Sequence, residues 1–115
     1  MSLMGSSLPY GNTKAQWQLG LTVSTPSVGA NTSVTATYAV PGLLINDLCD
    51  PVPQSHVAGL SIAAGWCAAN GVLTVQFVNS TGSTIGVQSN YAIIVGVTRS
   101  DADSRGFASL PSAIQ

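Results

Sequence analysis

The chain has 115 residues, 45% of them hydrophobic, and this length supports one domain that buries roughly two-thirds of its unfolded surface. Charge is the outlier: 6% of residues are Asp, Glu, Lys or Arg, against about 25% in an ordinary domain. Three basic residues (Lys14, Arg99, Arg105) and a net charge of −1 exclude a phosphate-reading nucleic-acid surface, and no apolar run approaches a membrane span.

Residues 1–14 carry Gly, Ser, Pro and Asn without a sustained period and read as an extended arm bearing Leu3, Met4, Leu8 and Tyr10. Such an arm is held either by a neighbouring subunit or by its own domain. It contains no basic stretch followed by an apolar stretch, which sets the expectation of cytoplasmic synthesis without a secretory signal. Ala15 to Val23 alternates, with Trp17, Leu19, Leu21 and Val23 on one face, and predicts a half-buried strand. After a turn-rich stretch, Thr32 to Val40 repeats the pattern with Val34, Ala36, Tyr38 and Val40 inward, and Pro41-Gly42 ends it. Leu43 to Ile45 is a short apolar patch and Asn46-Asp47 a turn. Pro51 and Pro53 then argue against a central strand over Asp50 to Ser55.

The strongest local signal is Asn70-Gly71 between Val57–Ala68 and Val72–Val78, which predicts a hairpin with a type I′ turn and positive φ at both central residues. Leu73, Val75 and Phe77 form the inward set of its second arm. Asn79 to Thr84 is a polar loop. Tyr91 to Val97 is apolar on both faces, as expected of a strand that is central or covered. No helical period is sustained. Short strands with turn signals between them predict an all-β fold, an antiparallel β-sandwich or jelly-roll-like barrel (15–99) with an N-terminal arm (1–14) and a C-terminal tail (100–115).

Chemistry is sparse. His56 is the single histidine and reads as a solvent-facing loop residue despite Ser55 and Asp50 nearby. Asp47 and Asp50 could be drawn as a glycosidase pair, but no aromatic cleft accompanies them. Asp101 to Gly106 imitates half a calcium loop, with Arg105 at a ligand position and Ser112 in place of the bidentate Glu, so it reads as a hydrophilic turn. Asn31 and Asn79 begin glycosylation sequons that matter only in a secretory chain. Cys49 and Cys67 read as free, half-buried thiols; a bridge needs their strands to be neighbours. The expectation is no enzyme, no cofactor and no metal.

From Val28 to Arg99 the sequence resembles a small β-sandwich module of tailed-bacteriophage virion proteins. The resemblance runs through Val34–Val40 into Pro41-Gly42, Asp47 before Pro51, Gly59-Leu60-Ser61-Ile62, Asn70, Val75 to Asn79, and Tyr91–Val97 into Thr98-Arg99. It implies a structural virion protein: a capsid cement (decoration) protein on the outer surface of the phage head, or a fibre-like head or tail appendage. Its partners would be the major capsid protein and copies of itself, as a dimer or trimer, and it would be made in the host cytoplasm and carried on the virion. The long arms and the near absence of charge depart from that pattern. Apolar anchors for such contacts are Leu3, Leu8, Tyr10 and Trp17 on the N-terminal side. Phe107 and Leu110 are their C-terminal counterparts, with Arg99 and Arg105 as the polar candidates. A tail or fibre domain binding host glycans is the alternative. It requires exposed aromatic rings, whereas Trp17 and Trp66 read as core.

Overall fold

A computed structural model describes residues 13 to 100. The calls on Leu3, Leu8, Tyr10, Arg105, Phe107, Leu110 and the Asp101–Gly106 turn lie outside these residues. Six strands are present: β1 (Thr13–Val23), β2 (Thr32–Ala39), β3 (Leu48–Pro53), β4 (Leu60–Ala69), β5 (Val72–Asn79) and β6 (Tyr91–Ser100). They form two three-stranded antiparallel sheets of order β1-β6-β3 and β2-β5-β4, and no helix occurs among the described residues. The fold is therefore all-β and two-layered. The chain alternates between the layers until the β4–β5 hairpin keeps it in one.

Hydrophobic alternation places the core. Leu73, Val75 and Phe77 of β5 and Tyr91, Ile93, Val95 and Val97 of β6 are all buried, so the two central strands face one another across the layers. Phe77 and Tyr91 meet edge to face, ring centroids 6.1 Å apart and planes at 80°, a geometry that contributes about 1 kcal/mol beyond the area it buries. The doubly apolar β6 occupies the centre of its sheet. The Pro-containing segment from Asp50, read from sequence only as non-central, is the sheet-edge strand β3, where a missing N–H faces away from the ladder.

The hairpin forms with Ala69 opposite Val72, but its turn is not the predicted one. Gly71 has φ +79° while Asn70 is absent from the positive-φ positions. Instead, the Asn70 Oδ1 accepts the Ile45 N–H at 3.0 Å, the Gly71 N–H donates to the Leu43 carbonyl at 2.7 Å, and the Gly71 carbonyl accepts from Val40 N–H at 2.9 Å. The turn is thus held by the 40–45 segment, a contact distant in sequence that replaces the local preference. Asn46, with φ +78°, turns the chain into Asp47.

At the opposite end, Asn79 is the buried last residue of β5 and not the start of an open polar loop. Its Nδ2 faces the carbonyls of Val28, Gly29 and Ser83 at 3.1, 3.1 and 2.7 Å, while its Oδ1 accepts from the Thr81 N–H and hydroxyl. The amide pins the 80–85 loop to the β1–β2 connection, where Val28 and Ile85 exchange backbone bonds at 2.9 Å. Asn79 therefore satisfies buried backbone carbonyls and offers no acceptor for a glycan.

The layers approach most closely between β3 and β4. A Cβ built on Gly65 would stand 2.5 Å from Pro51 Cγ and 2.6 Å from its Cδ. Gly65→Ala should therefore destabilise the protein by about 1–3 kcal/mol through overpacking. Gly20→Ala, which meets nothing within 4 Å, should fall within about 0.5 kcal/mol of wild type. Urea denaturation of both variants checks the contrast.

Candidate functional site

Two candidate residues far apart in sequence come together at the end of the molecule where β1 begins and β6 ends. The Arg99 guanidinium carbon lies 4.8 Å from the Trp17 ring centroid. Arg99 Nε and Nη2 donate to the Asp47 carboxylate at 2.9 and 2.7 Å, and Nη2 also donates to the Gly42 carbonyl at 2.9 Å. The Asp47 side chain is fully buried, and its Oδ2 accepts the Leu44 N–H at 2.9 Å. The hydrogen bonds to Asp47 hold Arg99 firmly protonated, outweighing the opposing effect of burial. This cluster ties the end of β6 to the 42–47 crossover, which in turn holds the hairpin turn. Trp17, Leu19, Val40, Leu43, Val97 and Arg99 border a cleft of about 230 Å³ beside it.

The reading of both tryptophans as core is corrected. Trp17 has the parity of Leu19 and Val97 but remains 42% exposed, because β1 is an edge strand and the layers do not close over it. Trp66 is 40% exposed for a different reason. A register shift between Ile62 and Ala64 changes the side-chain parity of β4, so Gly65 and Cys67 point inward and Trp66 stands opposite Thr74 on the outer face. A bulge is a one-residue event that alternation cannot reveal. Thr35, Thr37 and Gln76 share this face with Trp66 and Thr74, making it hydroxyl- and amide-rich with one large ring.

The outer face of the other sheet carries a signal that sequence reading missed. Register places Leu48, Thr98 and Gln16 in one row, Asp50, Gly96 and Gln18 in the next, then Val52, Ile94 and Gly20. Leu48 is 68% exposed, and Val52 and Ile94 are also open to solvent. The doubly apolar composition of β6 was the available clue to this face. Gly96 and Gly20 lie in these rows, and Asp50 is the one charged residue of the three. Exposed apolar groups gathered on one face make it a candidate interaction surface.

Among the described residues, the candidate groups named from sequence do not come together. Asp47 is buried in its ion pair while Asp50 lies exposed on the outer face, so the two carboxylates do not converge. His56 is exposed in the β3–β4 connection. No group of three metal-ligating side chains occurs among the described residues. Cys49 and Cys67 are buried free thiols on facing edge strands; Cys49 Sγ lies 3.7 Å from the Asp47 carbonyl and Cys67 Sγ 3.0 Å from that of Ala69. Comparison with protein-family models, with curated proteins and with solved structures finds no match to this chain.

Replacing Asp47 with Asn preserves shape but removes the charge that organises Arg99 and the crossover. This change should cost on the order of 2–3 kcal/mol, measured by chemical denaturation. Alkaline pH acts on further groups of the described strands. Burial, then the nearby Cys67 and Asp47, raise the Cys49 thiol above its ordinary 9.0, and burial raises the Tyr38 and Tyr91 phenols above 10.0. The unfolded chain then releases these protons before the folded one, so stability is retained below about pH 9 and declines as pH rises through the folded values. Thermal melts across this range should show that decline, and Cys49→Ser should remove its earliest part.

Proposed function

We propose that this chain is a non-enzymatic structural virion protein of the capsid cement (decoration) type. It binds the outer surface of a phage head where major capsid subunits meet, together with further copies of itself. The observation that supports this reading best is the outer face of β1-β6-β3, where Leu48, Val52 and Ile94 are exposed among glycine, threonine and glutamine residues and one carboxylate, Asp50. A charge-poor face of this kind suits a protein surface repeated across a lattice, where each contact can be weak because many act together. Separating two capsid subunits would then also break the cement contacts across them. The sandwich resemblance over Val28–Arg99 points the same way.

Capsids assembled without this chain should bind the added protein saturably and survive heating better than bare shells. Ile94→Lys, which puts a charge at the centre of the apolar row, should weaken decoration at least tenfold without unfolding the domain. Labelling of tails or host cells with bare capsids left undecorated overturns the cement assignment.

The exposed Trp66 ring supports a second reading, a tail or fibre domain that binds host glycans. Its ring could stack on a sugar while Thr37 and Gln76 supply hydrogen bonds. Under that reading Trp66→Ala abolishes binding to host cells, and Ile94→Lys leaves it intact.

A further inference from the structure

The two long sides of the molecule are built differently. On one side β3 and β4 pack together across the layers, with Gly65 receiving the Pro51 ring. Both edges there are guarded: β3 carries Pro51 and Pro53, and the β4 ladder is broken by register shifts at Ile62/Ala64 and Trp66/Ala69. These are the devices that prevent a sheet edge from pairing with another chain. On the other side, β1 and β2 make no comparable contact with each other. From Ala15 to Val23, β1 has an unbroken register with β6 and neither proline nor charge. The whole of β2, Thr32 to Ala39, is likewise regular, uncharged and free of proline.

The same side leaves apolar surface unfinished. Leu19, Leu21 and Val23 of β1 and Val34, Ala36 and Tyr38 of β2 touch the core but stay only partly buried. The cleft beside Trp17, Leu19 and Val40 opens between these two strands at the Arg99 end.

We propose that the β1–β2 side is a self-association surface, on which a second copy of this chain pairs its β1 edge antiparallel to β1 and brings its β2 edge against β2. A twofold axis perpendicular to the layers makes the contact isologous, with each copy offering the same strands. Backbone pairing satisfies the outward N–H and C=O groups, and the half-buried side chains of both copies complete one continuous core. Self-pairing suits the uncharged stretches Ala15–Val23 and Thr32–Ala39, because it sets no like charges opposite one another. The size is adequate. The nine residues Ala15–Val23 at about 3.4 Å each, over two layers about 20 Å thick with their side chains, present roughly 600 Å², the lower end of what each partner of a stable interface buries. The inference rests on the self-association in the reading above but not on the capsid, so dimerisation and decoration fail separately.

Sedimentation equilibrium of the full chain, from micromolar to submillimolar concentration, should give a species of twice the 11.6 kDa chain mass. Hydrogen exchange of the β1 and β2 amides should slow as concentration rises. Leu21→Lys should shift the mass to that of a monomer, with dimer dissociation at least tenfold easier. Should that variant fail to fold, the concentration dependence of exchange in the unmodified chain decides. A full chain that stays monomeric overturns the proposal, and β1 and β2 amides protected in that monomer would show the edges covered from within the same chain. Loss of the dimer on Ile94→Lys but not on Leu21→Lys also overturns it, since the outer face would then be the interface.

Discussion

The contact between Gly65 and Pro51 governs how the two layers sit. Without a Cβ on Gly65, the Pro51 ring enters the β4 backbone and draws the β3 and β4 edges together. Two otherwise separate three-stranded sheets are thereby closed along one side, while the β1 and β2 edges opposite stay apart. The exposure of Trp17, the cleft beside it and the partly buried rows of β1 and β2 all belong to that open side.

The ends of the molecule are fixed by polar groups that the sequence uses sparingly. In a chain with so few charges, the buried Asp47 carboxylate and Arg99 form the ion pair that joins β6 to the crossover, and through the crossover to the hairpin turn. At the other end a neutral amide, Asn79, performs the equivalent task by facing three carbonyls. Burying the carboxylate is tolerable because its partners are hydrogen-bonded and in place. Asp50 and Lys14 apart, the strands' surface is left to hydroxyl, amide and apolar groups.

Local order was legible from residues alone wherever one rule acted. Alternation located β1, β2 and β5, the doubly apolar Tyr91–Val97 marked β6 as a central or covered strand, and the prolines kept β3 off a central position. Trp17 and Arg99 were also named from sequence, although their stacking depends on strand register that no local pattern encodes. What failed did so for identifiable reasons. Asn70 was assigned by a turn preference, and its side chain is instead engaged by the Ile45 N–H, twenty-five residues earlier. Asn79 carried a surface motif but lies where three carbonyls need a donor.

The chain's own composition and periodicity determined an all-β fold, its central strand and its scarcity of charge, because strand alternation and the lack of ionisable residues are properties of neighbouring positions. Only the tertiary structure decided which surfaces are open. One bulge in β4 turned Trp66 from the inside to the outside, cross-strand register gathered Leu48, Val52 and Ile94 on one face, and Gly65 closed one side while β1 and β2 make no comparable contact on the other. Each of these is a relation between distant segments, and a side chain's exposure depends on what packs across from it.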